Sequence, residues 1–541
     1  MGGYSHCRAS LDGAAFDVVV IGGGINGVAI ARECVRAGRR TLLVDQADFA
    51  SGTTSRATRI IHGGLRYLEH GEVGLVRESL HERARLAAEN PHLVRPLEFL
   101  LPIGPGSRRS PLEIRLGLWL YRRMGGRFAE DIRNGAHLDS LLGSSDRWSI
   151  FRYEDAQCEF PERLVADWLV DACAGGLEAR NYTQALDVRI VCGSVRGLLL
   201  RDLLSGDEFE VQAPWIINAS GPWVDRVCQA AGLTRTRTLI GGIRGTHVVL
   251  PAFRGAPAAA VYGEATDGRP IFLVPWNGQI LLGTTEVPDD NDPSRVQPSE
   301  REMEYLFGWL HRFFPGARVG RDDMLYAYAG VRPLPFVPGH TPAQVTRRHI
   351  VHDHTPEGAR GMISLIGGKL TTAASLAREV ARRIGLRVSE PRGVVYLPAA
   401  ATEAADGWTV EVAAGSGLPI EAAKALVEWH GPAAAEIAHL AAADPALREP
   451  LCDGTAHIVA EAVHALRHEH AVHLSDVLLR RVPVALAGWW SREATREATR
   501  RLGAFLGWSE AQVYAEAELF EIERAQMLFN DYLPAPLRRP A

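Results

Sequence analysis

Near its start the chain switches from a continuous apolar run to a helical period and back. Phe16 to Ile21 is short and mostly β-branched, the composition of a strand buried on both faces. Val28, Ala29, Ala31, Val35 and Ala37 then offer a small-residue helix that Gly38 can close. Arg40 to Val44 is a second strand and ends on an acid, Asp45. Between the first strand and the helix, Gly22, Gly24 and Gly27 fall in the spacing G-x-G-x-x-G, with Asn26 inside it. Gly22 permits a tight turn, Gly24 lets a pyrophosphate approach the backbone, and Gly27 lets the helix pack close to the strand. Free N–H groups at the helix start attract the anion, and Asp45 is placed to accept from a ribose hydroxyl. Strand, glycines, helix, strand and acid together predict a dinucleotide site.

Further along, Val73 to Asn90 has helical spacing and stops at Pro91, and Pro96 to Ile103 is strand-like. Arg108 to Arg127 carries Leu112, Ile114, Leu116, Leu118, Trp119, Leu120 and Tyr121 among six arginines. Such a stretch suits either an anionic membrane surface or an amphipathic helix packed on the core. Trp148 to Gly176 holds a helix with Pro161 near its start. Phe209 to Asp225 reads as one strand running into a Gly-Pro turn. Leu239 to Tyr262, Pro270 to Glu286 and Asp322 to Pro335 are strand-like, implying a largely antiparallel sheet. Val287 to Glu304 reads as a solvated loop entering a helix. Met362 to Ile366 is a last buried strand, and Ala373 to Ile384 a helix. From about Pro391 to Asn530 the sequence is Ala-, Leu-, His- and Glu-rich and helical, and the final YLPAPLRRPA reads as a loose tail. His464, His468, His470 and His473 cluster there without an acid or Cys at ligand spacing, so solvated helix surface is preferred to a metal site.

Composition narrows the class. With 541 residues, 46% hydrophobic and 23% charged, the chain should form two or three domains of a soluble globular protein. A formal net charge of −5 implies no nucleic-acid partner. Seven cysteines without a CxxC pair fit a reduced, intracellular setting. Met1 to Ala15 has neither a basic start nor an apolar stretch, so no secretory signal is expected. No apolar run approaches bilayer-spanning length, which leaves surface association open.

Ser51 to Glu69, SGTTSRATRIIHGGLRYLE, makes the reading specific. These hydroxyl residues followed by Ile-His-Gly-Gly-Leu-Arg-Tyr-Leu-Glu resemble FAD-dependent glycerol-3-phosphate dehydrogenases, in the wider D-amino-acid-oxidase-like group. The resemblance covers Phe16 to Ile384 strongly and the helical C-terminus more weakly. It implies an α/β fold with an α+β substrate domain. A Rossmann-like FAD-binding domain would be built from separated segments, about 16–75, 150–235 and 355–388 of a region 16–388. An antiparallel-sheet substrate domain, about 76–149 and 236–354, would roof the flavin. A C-terminal helical domain (389–530) and a flexible tail (531–541) would follow.

The resemblance also implies site residues. Ser51, Thr53, Thr54 and Ser55 suit phosphate and ribitol contacts. His62, Gly63, Gly64 and Leu65 are expected along the flavin, with backbone at Gly63-Gly64 close to the flat ring. Asn218, Ala219 and Gly221, Val188, and Gly368 with Lys369, Leu370, Thr371 and Thr372 complete the set around non-covalently bound FAD. The helix start at Thr371-Thr372 should face the flavin edge that becomes negative on reduction. Arg332, in YAGVRPLP, is expected over the flavin face. Lys369 in GGKLTT and, less directly, Arg66 are expected to contact phosphate, since a phosphomonoester dianion cannot be desolvated unpaired. His247, in RGTHV, is the candidate base. The implied reaction takes sn-glycerol 3-phosphate to dihydroxyacetone phosphate, with hydride passing from C2 to flavin N5. Electrons would go to a membrane quinone at the cytoplasmic face of an anionic membrane surface; a homodimer is left open. Arg59 and Arg244 stand where many relatives would carry Lys, replacing a point charge by a planar fork. An oxygen-reducing glycerol-3-phosphate oxidase, or an amino-acid or amine oxidase of the same fold group, are the alternatives.

Overall fold

The computed structural model describes residues 10–104, 107–132, 138–142, 148–233, 238–389 and 398–530. The expected tail from 531 onward, and the start of the C-terminal region near 391, lie outside those residues.

The apolar runs come together first. A six-stranded sheet has the order Ile350–Asp353, Met362–Ile366, Trp215–Asn218, Val18–Ile21, Thr41–Val44, Glu178–Arg180. All of its pairs are parallel except the first. Its central strands are buried along their whole length, as a sheet covered on both faces requires. Val18, Val20, Leu43 and Ile217 point into a cluster with the helices Ile25–Arg36, Pro161–Ala174 and Ala373–Arg383. Val19, Ile21, Leu42, Val44 and Ile216 point the other way, toward Val188, Leu198, Leu200 and Val211. Those last residues belong to a three-stranded antiparallel sheet, Glu208–Gln212, Ser194–Asp202 and Thr183–Val191.

The single strand expected over Phe209 to Asp225 is therefore two. Glu208–Gln212 pairs in the small sheet, and Trp215–Asn218 enters the six-stranded one. Pro214, which has no N–H to donate, lies at the break.

The second large sheet has ten strands and is mostly antiparallel. Its central strand, Ile240–Pro251, is flanked by Gln279–Gly283 and Tyr326–Pro335. Ser149–Cys158 belongs here, paired along its full length with Val94–Ile103, although it was expected with the FAD-binding segments. Alternating burial from Phe151 to Asp155 matches a sheet with unlike faces. The helix Glu300–Phe313, capped by Ser299 and Glu302, covers one side of this sheet. The other side meets the C-terminal helices in the largest core cluster.

Charge as well as apolar packing holds the C-terminal helices in place. Asp48, in the loop just after Asp45, is buried between Arg480 and Arg481, with Arg481 nitrogens 2.8 and 2.9 Å from its two oxygens. Tyr182 Oη donates to Asp476 at 2.7 Å, and Arg163 reaches Glu469 at 2.7 Å. Burial works against the Asp48 carboxylate, but Arg481 and Arg480 outweigh it and hold its pKa below the usual value. Asp48→Ala would leave two guanidiniums buried without their shared anion, so it should destabilise the fold by about 3–5 kcal/mol in denaturant titration near neutral pH. Because the folded pKa is depressed, this contribution is complete above about pH 4 and lost as pH falls further. The variant should therefore lose less stability on acidification than the wild type.

Candidate functional site

The two large sheets enclose a cavity of about 720 Å³. Its floor is the Gly-rich turn. A Cβ on Gly27 would lie 1.8 Å from the Gly22 carbonyl oxygen, so only glycine allows this helix-to-strand approach. Gly22 has φ +106°, and a Cβ there would meet the Ala219 carbonyl at 2.6 Å. Around Gly24, by contrast, a Cβ would meet only Thr54 Oγ1, at 3.2 Å. Gly24 thus offers bare backbone at the start of the helix Ile25–Arg36, and it lines the cavity.

Several expected residues reach the cavity wall. Asn26, Asp45, Ser51, Thr53, Thr54, His62, Ala219, Gly221, His247, Arg332, Gly368, Lys369, Leu370 and Thr371 line it. Asp45 accepts from the amides of Gly23 (2.7 Å) and Ala47 (2.9 Å). Burial nevertheless raises its carboxyl to about 6. Thr54 Oγ1 accepts from the Ile25 amide at 3.2 Å, at the helix start.

Others serve the site from behind. Thr53 also donates to the Val331 carbonyl (2.8 Å), and Ser55 donates to the Ala50 carbonyl, so both hydroxyls tie the loop down. Gly63 and Gly64 do not line the cavity. A Cβ on Gly63 would strike Tyr121 Oη and Leu80, and one on Gly64 the Tyr67 ring, so these glycines pack backward. Leu65 and Thr372 are likewise outside the lining, and Thr372 occupies the N-cap position of the helix Ala373–Arg383 without a side-chain cap bond. Val188 faces the core between the sheets; Thr183 to Leu186, earlier on the same strand, make the wall. Asn218 sits one layer down, donating to Val224 O (3.0 Å) and Ser364 Oγ (3.1 Å). Arg66 is also absent from the lining, with one guanidinium N–H 3.5 Å from the Gly268 carbonyl.

The roof is the central part of the ten-stranded sheet. His247 and Tyr328 face each other in register and stack with centroids 5.0 Å apart. His247 Nε2 lies 2.9 Å from Thr58 Oγ1, while its Nδ1 is sealed and without a partner. Burial, with Arg332 and Arg59 nearby, holds this imidazole well below its ordinary pKa, so it is neutral at physiological pH. Arg332 donates to Thr285 O (3.2 Å) and Thr284 Oγ1 (3.0 Å). Burial lowers the pKa of Arg332 too. Gly245 makes room for it, since a Cβ there would lie 2.6 Å from the guanidinium. Lys369 Nζ has no hydrogen-bond acceptor and rests 3.9 Å from the Tyr67 ring centroid; burial pulls it down to about 8. His62 is held at about 4, chiefly by burial.

The two Arg-for-Lys positions are both structural. Arg59 forms a forked pair with the buried Glu162 (3.0 and 3.1 Å) and lies 4.3 Å over Trp276. Arg244 bridges Asp289 (2.7 Å) and Glu302 (2.9 Å). Thr58, Thr284, Thr285 and Arg56 were not singled out from the sequence, because what places them is a partner strand far along the chain.

The C-terminal histidines form no ligand cluster among the described residues. His464 is buried, at ion-pair distance (3.5 Å) from Glu436 and Glu469, rather than solvated as expected. The one grouping of ligand-type side chains found among the described residues is His352, His354 and Glu357, joined to one another by hydrogen bonds.

The floor fits a dinucleotide: bare backbone at a helix start, an acid at the end of the next strand, and cationic walls. Residues 17–383 match the FAD dependent oxidoreductase family, and residues 362–513 match the C-terminal domain of alpha-glycerophosphate oxidase. A glycerol-3-phosphate dehydrogenase of Synechocystis sp. is 35% identical, covering 96% of this chain and 98% of its own length. An aerobic glycerol-3-phosphate dehydrogenase of Staphylococcus haemolyticus is 31% identical, covering 88% of each. The FAD-bound structure of the Bacillus halodurans glycerol-3-phosphate dehydrogenase superposes with a TM-score of 0.78 at 22% identity, covering 99% of this chain and 100% of its own. At that identity the superposition speaks for the fold. Fold, cavity and profile together define an FAD-dependent oxidoreductase. Within that class, the chain belongs to the FAD-dependent glycerol-3-phosphate dehydrogenase family.

Gly24→Val should abolish FAD binding, because branched carbons would fill the space that the glycine leaves to a pyrophosphate. Wild-type protein should be yellow and release FAD on denaturation, and the variant should purify colourless. A yellow Gly24→Val protein would mean that FAD does not approach this turn.

Proposed function

We propose that this chain oxidises sn-glycerol 3-phosphate to dihydroxyacetone phosphate and passes the electrons to a membrane quinone. The observation that carries the substrate is a pair of cations, unpaired with carboxylates among the described residues, facing one cavity. Among the described residues, neither Arg332 nor Lys369 has a carboxylate within ion-pair distance, and Asp45 is the only carboxylate in the lining. Desolvated cations of this kind favour a dianionic phosphate over a zwitterionic amino acid. The names of the full-length relatives point the same way.

When bound, FAD supplies the N5 position that accepts hydride from C2. The protein supplies the rest. Arg332 and Lys369 hold the phosphate and the oxygen that becomes a carbonyl. His247 takes the C2 hydroxyl proton at Nε2, relayed by the Thr58 hydroxyl that lies 2.9 Å from it. A base works only when unprotonated, so a depressed pKa keeps His247 competent down to low pH.

Arg332→Ala should lower kcat/KM for glycerol 3-phosphate by several kcal/mol of transition-state stabilisation while FAD stays bound. Near-wild-type turnover would place Arg332 outside the reaction. The wild-type acid limb should fall below the ordinary imidazole value of about 6.5, and His247→Asn should lower the rate and remove that limb. An unchanged profile would leave His62, the other neutral imidazole on the wall, as the base.

The acceptor reading rests on the helix Pro111–Arg123. Its Ile114, Leu118 and Tyr121 are buried in the core, so the core-helix reading accounts for one face. The other face exposes Leu112 (72%), Leu116 (65%) and Trp119 (54%) beside exposed Arg122 and Arg123. No helix of the described residues is long and apolar enough to cross a membrane. An apolar patch edged by arginines suits attachment to an anionic surface, at about 1 kcal/mol per basic residue near the headgroups. Sedimentation should show binding to anionic rather than neutral vesicles, weakened by salt and by joint replacement of Leu116 and Trp119 with Ser. Equal pelleting of wild type and variant would remove this face as the attachment site and favour a soluble acceptor such as oxygen.

A further inference from the structure

Among the described residues, Arg56 on the cavity wall has no hydrogen-bond or ion-pair partner. Arg56 ends the short 3-10 turn Thr53–Arg56, and Thr54 of the same turn meets the start of the dinucleotide-binding helix. Arg56 lines the cavity and is half-buried. Its Nε is sealed from solvent with no acceptor, and among the described residues no side chain or carbonyl accepts from its guanidinium. The charged neighbour that acts on it most is Arg480, which is occupied by Asp48 and Asp476 and repels it. Burial, with that repulsion, lowers the pKa of Arg56 to about 10. The arginine is also accommodated deliberately by the opposing strand. Gly330 lies where any side chain would collide, since its Cβ would come within 2.7 Å of Arg56 Cβ.

A half-buried guanidinium without acceptors is costly, so its complement must arrive with a ligand. Arg332 and Lys369 lie on the roof and on the Gly367–Leu370 segment, whereas Arg56 is tied through Thr54 to the helix start on the floor. We infer that Arg56 is a phosphate ligand of this cavity, neutralising phosphoryl oxygens of a bound molecule. Two bound molecules carry that chemistry: the cofactor, through its pyrophosphate, and the substrate, through its phosphate. The inference rests on FAD as cofactor and, in its substrate arm, on the proposed oxidation of glycerol 3-phosphate.

The test compares wild type, Arg56→Gln and Arg56→Lys as full-length protein. FAD release from the holoenzyme is followed by the fluorescence of free flavin, and KM for glycerol 3-phosphate is measured with FAD in excess. Loss of one charge-assisted contact should cost roughly ten- to a hundredfold. Faster FAD release from Arg56→Gln at unchanged KM would assign Arg56 to the pyrophosphate. Unchanged release with a raised KM would assign it to the substrate phosphate. In both cases Arg56→Lys should recover part of the loss, because it keeps the charge without the fork. If Arg56→Gln changes neither quantity, the inference is wrong. It is equally wrong if Arg56→Gln lowers the melting temperature of FAD-free protein and Arg56→Lys restores nothing, because Arg56 would then be supporting the fold. Removal of an uncompensated cation should instead leave that melting temperature unchanged or higher.

Discussion

An unbalanced positive charge facing an enclosed cavity is the constraint on which the rest of this structure depends. Among the described residues, Arg56, Arg332 and Lys369 reach the wall without carboxylate partners, and Asp45 is the only acid in the lining. In a folded protein such groups are expensive unless a ligand supplies the anion. Elsewhere the chain pairs its buried cations closely: Arg59 with Glu162, Arg163 with Glu469, and Arg480 and Arg481 with Asp48. The contrast separates cations paired within the protein from those that face the cavity.

One local and one long-range contact make the cavity. The approach of Gly27 to Gly22 closes the floor, and the pairing of Ile240–Pro251 with Tyr326–Pro335 sets His247 and Arg332 in the roof. The C-terminal helices, far from the reacting groups in sequence, grip the loop after Asp45 through Asp48. That grip ties the C-terminal helices to the segment following Asp45 through one buried carboxylate.

The floor was legible in the sequence because its signals are local. A glycine spacing, a helix and an acid at a strand end are read within thirty or so residues. The roof was legible only in part. Motifs pointed to Arg332 and His247, but the carbonyl and hydroxyls beside them come from segments distant in the chain. At Gly63 and Gly64 the sequence shows a need for space but not which side the obstacle lies on; here it is Leu80, Tyr121 and Tyr67. Phe209 to Asp225 was read as one strand because its apolar residues continue across Pro214, and only sheet pairing divides it. Arg56 escaped notice because an arginine without a partner looks like any other until its surroundings are known.

The central claim, that this cavity oxidises a phosphorylated polyol, is tested most directly by anaerobic reduction of the bound flavin. The holoenzyme is mixed with sn-glycerol 3-phosphate, glycerol, or a set of amino acids, and the loss of yellow colour is followed. The account predicts rapid bleaching by glycerol 3-phosphate, little by glycerol, and none by amino acids. Bleaching by an amino acid, with none by glycerol 3-phosphate, would contradict it.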